Sequence, residues 1–180
     1  MTTATSGPLL FDTSAESWFA RTQDPQVAAW WRYHLQQEAV YISAITMLER
    51  IRGYSMLWRS ADPDRRLLIE SARLAYLESH RIVLPVDTAT SLVAGELMAL
   101  LADPPTPPKR THRRAESKSE RLSRWRFDIM IAATAMVNGM TLVHNNPADF
   151  EMIRGGVETH PERFPTAGPL NLVRCQLLKV

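Results

Sequence analysis

The sequence predicts an α/β fold, a three-layer α/β/α sandwich around a mostly parallel central sheet. Two observations carry that expectation. Apolar runs of three or four residues recur along the 180-residue chain, most of them followed by a longer stretch whose apolar positions repeat at helical spacing. Asp-Pro or Asn-Pro pairs stand at 24–25, 62–63 and 146–147, where a capping side chain precedes a proline suited to the first helical turn. Strands that alternate with helices pair in parallel and are covered on both faces.

Taken in order, Pro-Leu-Leu-Phe at 8–11 is a first strand. Asp24-Pro25 opens a helix with Val27, Trp30, Trp31 and Leu35 at helical spacing, and 39–42 is a second strand. Residues 43–58 read as a helix bearing Ile45, Leu48 and Ile51. Asp62-Pro63 starts another, to about 79, with Leu67, Leu74 and Leu77 on one side. A third strand covers 81–84, and Asp87 or Thr88 caps a helix to about Leu101. The prolines at 104, 105, 107 and 108 exclude helix and central strand, so 103–123 is expected to be a Pro-rich basic insertion or long loop. Residues 125–138 form an alanine-rich helix that Gly139 terminates. Residues 141–143 are a fourth strand, Asn146-Pro147 begins a short helix, and 170–173 is an edge strand. The expected organisation is a flexible N-terminus at 1–7 and a single domain over 8–180.

Composition narrows the class. Hydrophobic residues make up 45% and charged residues 22% of the chain, as in a soluble globular domain with a real core. A lone cysteine, Cys175, excludes an internal disulfide framework. The longest apolar helical pattern is interrupted by Glu96, which excludes a membrane span. No basic segment followed by an apolar one opens the chain, and the expected location is the cytoplasm. The net charge of +2 conceals an asymmetry: eight basic residues and two acids between Lys109 and Arg126 give +6, leaving −4 elsewhere. An acidic body with one basic segment points to a polyanionic partner.

Four acids stand out. Asp12 follows the first strand, where an α/β sheet binds its ligands, although a turn or cap serves equally. Glu49 fits a capping box with Thr46. Asp128 shares a helix face with Ala132 and Ala135, small residues that allow close packing on a sheet. A buried charge there needs a partner or a metal. Asp149 follows the fourth strand, and first-turn placement after an Asn146 cap is its structural alternative. Like charges about 5 Å apart repel by about 3 kcal/mol at an effective dielectric near 20. Four converging carboxylates therefore protonate or bind a cation. All-oxygen ligands select Mg²⁺ or Mn²⁺.

In order and spacing, Leu9-Leu-Phe-Asp12-Thr-Ser14, the segment from Tyr41 through Glu49 to Gly53, and Phe127-Asp128 leading through Asn138 to Phe150 resemble the PIN domain family, and within it the VapC-like ribonuclease toxins of type II toxin–antitoxin systems. The resemblance implies an acidic Mg²⁺ pocket in an endoribonuclease. Its acids fall on Asp12, Glu49 and Asp128, and its fourth acidic position falls on Asn146 or on Asp149. Asn146 is neutral and offers a carbonyl oxygen ligand with less charge. His144 departs from the family's small hydroxyl residue and is expected to face solvent. One carboxylate, Asp149 or Glu49, would accept a proton from water, and Thr13 or Ser14 would orient Asp12 by hydrogen bonding.

Arg124 and Arg126 are candidate RNA contacts, with Trp125 either a stacking surface between them or an anchor in the core. Trp30, Trp31 and the helix over 43–58 are either core or a face for an antitoxin helix or dimer. The resemblance implies a cognate antitoxin and a homodimer. Two other readings stay open: a PIN nuclease of RNA processing without an antitoxin, and a catalytically weak or inactive PIN module that binds RNA or protein.

Overall fold

The structure, a computed structural model, describes residues 8–37, 40–105 and 117–178. Five strands, β1 (Leu9–Phe11), β2 (Val40–Ser43), β3 (Arg81–Leu84), β4 (Thr141–His144) and β5 (Asn171–Arg174), form one sheet in the order β3-β2-β1-β4-β5. Every pairing is parallel. The helices are α1 (Thr13–Arg21), α2 (Pro25–Gln36), α3 (Ala44–Ser60), α4 (Pro63–Glu78), α5 (Thr88–Leu100), α6 (Lys118–Val137) and α7 (Pro147–Thr159).

Strand alternation divides the core. Leu10 and Leu142 point to one face, where α5, α6 and α7 supply Val93, Leu97, Trp125, Ile129, Phe150 and Ile153. Phe11 and Val143 point to the other, against Ala15 and Phe19 of α1 and Trp31 of α2. Phe19 stacks on Trp31 at 5.2 Å, and Phe11 meets both edge-on. Trp31 is therefore core. β1 and β4 are central strands, and their adjacency is the point where strand order reverses. The crevice beyond their carboxyl ends is where such a sheet binds ligands.

Several expectations are corrected. The segment 13–21, for which the sequence predicts no element, is helical, because Asp12 caps it by accepting from Ala15 N. Within the expected loop over 103–123, residues from Lys118 onward belong to α6. Ser117 and Glu120 form a reciprocal capping box, which starts a helix without an apolar stripe. Residues 1–7, Ala39, and the basic residues Lys109, Arg110, Arg113 and Arg114 lie outside the described residues. α7 reaches Thr159, and β5 takes the expected place at the edge. Gly139 ends α6 with φ +62°, a conformation that glycine adopts without strain. Among the described residues no helix is long and apolar enough to cross a membrane.

Candidate active site

A cleft of about 560 Å³ opens at the strand-order reversal. Asp12, Thr13, Ser14, Glu49, Arg124, Asp128, Asn145 and Asn146 line it, together with Ser17, Trp18, Arg21 and Thr22.

Asp12 is delivered by β1, and its backbone N–H continues the ladder by donating to Val143 O at 3.0 Å. Its carboxylate accepts from Ala15 N at 2.6 Å and from Ser14 Oγ at 2.8 and 3.0 Å. Ser14 Oγ in turn accepts from Asn145 N at 3.1 Å, so one hydroxyl ties the ends of β1 and β4 together. The cap and the cleft position are thus the same feature. Burial pushes the Asp12 carboxyl up to about 7, against the opposing pull of its donors.

Glu49 stands half-buried on α3. The cap of that helix is Ser43, which accepts from Thr46 N at 3.0 Å, so Thr46 and Glu49 do not form a capping box. Instead Thr13 Oγ1 donates to Glu49 Oε2, locking α1 to α3. Burial raises the Glu49 carboxyl above the usual range, with Thr13, Arg52 and Arg124 pulling it back.

Asp128 is 8% exposed. It reaches the cleft because the Ala132 and Ala135 turns of α6 are fully buried and let the helix lie close to the sheet. Burial lifts its carboxyl well above the usual carboxylate range, and the charges of Asp149, Asp12 and Glu49 lift it further. The four acids singled out in the sequence therefore act on one another. Asn146, at the cap position of α7, makes no cap bond with its side chain. Its Nδ2 donates to Asp149 Oδ2 and, at 3.4 Å, to Asp128 Oδ2. One amide thus spans the two acids. No three His, Cys, Asp or Glu side chains among the described residues close around a point as a ready cation cage.

Three further expectations resolve. His144 is fully buried at the end of the central strand β4 and packs 5.1 Å from Phe150, rather than facing solvent. Neither ring nitrogen has a hydrogen bond of ordinary geometry, and burial, then Arg174, lower its pKa to about 4. Trp125 is 1% exposed, and its Nε1 donates to Leu101 O at 2.8 Å, so it anchors α6 to the end of α5 and offers no stacking surface. Arg124 lines the cleft, whereas Arg126 is exposed on α6 and is not part of the lining. The cleft residues Ser17, Trp18, Arg21 and Thr22 escaped the sequence reading. The signal for them was Asp12 as a cap followed by Ala15 and Phe19 one turn apart.

The family model for the PIN domain matches residues 9–155. The tRNA(fMet)-specific endonuclease VapC of Salmonella typhimurium is 31% identical over 124 residues, covering 69% of this chain and 76% of its own. DNA-bound VapBC from Salmonella typhimurium is similar in structure, with a TM-score of 0.53 at 22% identity over 93% of this chain and 98% of that one. FitAcB from Neisseria gonorrhoeae has a TM-score of 0.54 at 19% identity, over the same shares.

Proposed function

Because the chain belongs to the PIN domain family, we propose that it is a metal-dependent endoribonuclease, the toxin of a toxin–antitoxin pair. The observation that carries this reading is Asp128, a buried carboxylate facing three other acids. Charges so placed are otherwise stable only when protonated or bound to a cation. The donor chemistry fits a hard cation: Asp12, Glu49, Asp128 and Asp149 offer carboxylate oxygens, with Asn146 Oδ1 as a neutral fifth donor. Mg²⁺ suits this set and Mn²⁺ is the alternative.

Such an ion supplies Lewis acidity to a phosphodiester and lowers the pKa of an attacking water. The chain's own residues do the rest. Ser14 and Ala15 N fix Asp12 in one rotamer, and Thr13 fixes Glu49 across the cleft. Glu49, half-buried and lining the cleft, takes the proton released as water attacks, with Asp149 the alternative acceptor. Arg124 beside Glu49 offsets the repulsion between the acids and an incoming phosphate.

The partner reading has its own support. Met56, Leu57 and Trp58 of α3 and Leu67, Leu68 and Leu74 of α4 are at least 42% exposed, and apolar surface of that extent suits an antitoxin segment or a second copy. The structurally similar proteins are VapBC and FitAcB. A cytoplasmic location agrees with such partners. The amide of Asn146 on both acids favours the second reading, a weak or inactive module.

The test is cleavage of structured RNA by the purified protein with Mg²⁺, with Mn²⁺, with EDTA, and with Asp128→Asn. The expected result is cleavage that requires the metal and is lost in the variant. A folded wild-type protein that binds Mg²⁺ in calorimetry yet cleaves no RNA would favour the module.

A further inference from the structure

The cleft is larger than its acids require. A cation and its waters fill a small part of about 560 Å³, and the remainder is bounded by one face of α1: Ser17, Trp18, Arg21 and Thr22. Ser17, Trp18 and Arg21 follow Thr13 and Ser14 on the short helix that Asp12 caps and Thr22 ends, so the wall is rigidly joined to the acidic floor. Its composition differs from the floor. Trp18 is only half-buried, with its ring edge-on to Phe19 at 4.8 Å, and it lines the cleft rather than lying wholly in the core. Arg21 is exposed one turn further on, its Nε held by Ser17 O at 3.0 Å. An aromatic ring with an adjacent guanidinium is the pairing that takes an unstacked base and the phosphate beside it. Volumes of about 300–1,000 Å³ are those of small-ligand sites, which leaves room for a nucleotide.

We propose that Trp18, Arg21 and Thr22 form a nucleotide subsite: the Trp18 ring stacks on a base next to the scissile phosphate, and Arg21 holds the neighbouring phosphate. This rests on the endoribonuclease reading and adds to it where the substrate lies. The wall places single-stranded or splayed-out nucleotides on the α1 side of the acids, since a base within a duplex has no free face to offer.

The experiment titrates a short fluorescein-labelled single-stranded RNA of mixed sequence into the full-length protein in EDTA, read by anisotropy, with cleavage in Mg²⁺ measured in parallel. Trp18→Leu keeps apolar bulk against Phe19, and Trp18→Phe keeps a ring. The expected result is affinity about 5- to 150-fold weaker for Trp18→Leu, the range for loss of one base–aromatic stack, with Trp18→Phe near wild type and an unchanged salt slope for both. Arg21→Gln is expected to lower the salt slope by about one unit. Equal binding by Trp18→Leu and wild type, alongside normal cleavage by wild type, overturns the subsite and leaves the nuclease standing. Loss of binding in Trp18→Phe as great as in Trp18→Leu also overturns it, since packing rather than a ring face then explains the effect. A wild-type protein that neither binds nor cleaves RNA removes the nuclease reading and the subsite with it.

Discussion

Replacing Asp128 by Asn is expected to make the metal-free protein more stable while removing its activity. The change is isosteric and deletes one negative charge. Oxygens of Asp128 and Asp149 contact the same Asn146 nitrogen, which places them within about 6 Å of each other. At that separation two like charges repel by about 3 kcal/mol at an effective dielectric near 20. Asp12 and Glu49 add to the repulsion.

The pH dependence fixes the sign. The Asp128 carboxyl titrates well above 3.8 in the folded protein, so the folded state holds a proton that the unfolded chain has released. Stability of the wild type therefore falls as pH rises from the unfolded value through the folded one, and levels off above it. Asn has no such proton to lose. The advantage of the variant is expected to be smaller at pH 5 than at pH 8.5, where it approaches about 3 kcal/mol, roughly 6–12 °C in Tm for a chain of this size. Calorimetric or fluorescence melts in EDTA at both pH values measure it. Added Mn²⁺ or Mg²⁺ is expected to raise the wild type and not the variant, since a ligand stabilises only the state that binds it. A variant no more stable than wild type at pH 8.5 in EDTA would refute the claim that these acids are held together against their own repulsion.

Two further outcomes follow from the scaffold. Glu16 of α1 is fully buried and pairs with Arg81 and, at 3.4 Å, with Arg50, while Tyr76 Oη donates to it at 3.1 Å. Glu16→Ala leaves a nearly buried guanidinium unpaired, so stability is expected to fall by about 3–5 kcal/mol in urea unfolding, and a loss under about 1 kcal/mol contradicts the buried pair. Trp125→Phe deprives Leu101 O of its donor, with an expected cost of about 1–3 kcal/mol and RNA affinity unchanged; weakened RNA binding at unchanged stability would restore Trp125 as a contact.

The strands and most helices were legible because their signals are local. Leu10 and Phe11 alternate across the sheet as neighbours in sequence must, and Asp24-Pro25 and Asp62-Pro63 start helices through their own side chains and ring geometry. What escaped depended on partners distant in sequence. α1 has nine residues and presents Ala15 and Phe19 to the core, too few for a periodic stripe, yet Trp31 and Phe11 complete the packing. The first turns of α6 rest on the Ser117–Glu120 box and on Trp125, whose partner Leu101 is 24 residues away. His144 looked solvent-facing because histidine usually finds water or a donor. Its burial follows from β4 lying between β1 and β5, a fact of strand order.

For the site acids, local and functional explanations were posed as rivals in the sequence, and the structure shows why that opposition fails for Asp12 and holds for the others. A carboxylate that caps α1 at the end of β1 is thereby pinned at the strand-order reversal, so its structural duty creates its position in the cleft. Glu49 and Asp128 have no such duty: neither caps a helix, and each is more difficult to ionise where it stands. Asp149 occupies a first helical turn, yet its contact is with Asn146, which spans it and Asp128 instead of capping α7. An amide that forgoes its cap to donate to two crowded acids does part of what a cation would do. Asn146→Ala removes that donor and an Oδ1 ligand together. In the metal-free state it is expected to lose about 1–3 kcal/mol through the unpaired acids. Asn146→Asp adds a carboxylate, so it is expected to be less stable than wild type in EDTA and to bind Mg²⁺ more tightly in calorimetry. Unchanged Mg²⁺ affinity in Asn146→Asp would place the cation away from Asn146, on the Asp12 and Glu49 side of the cleft.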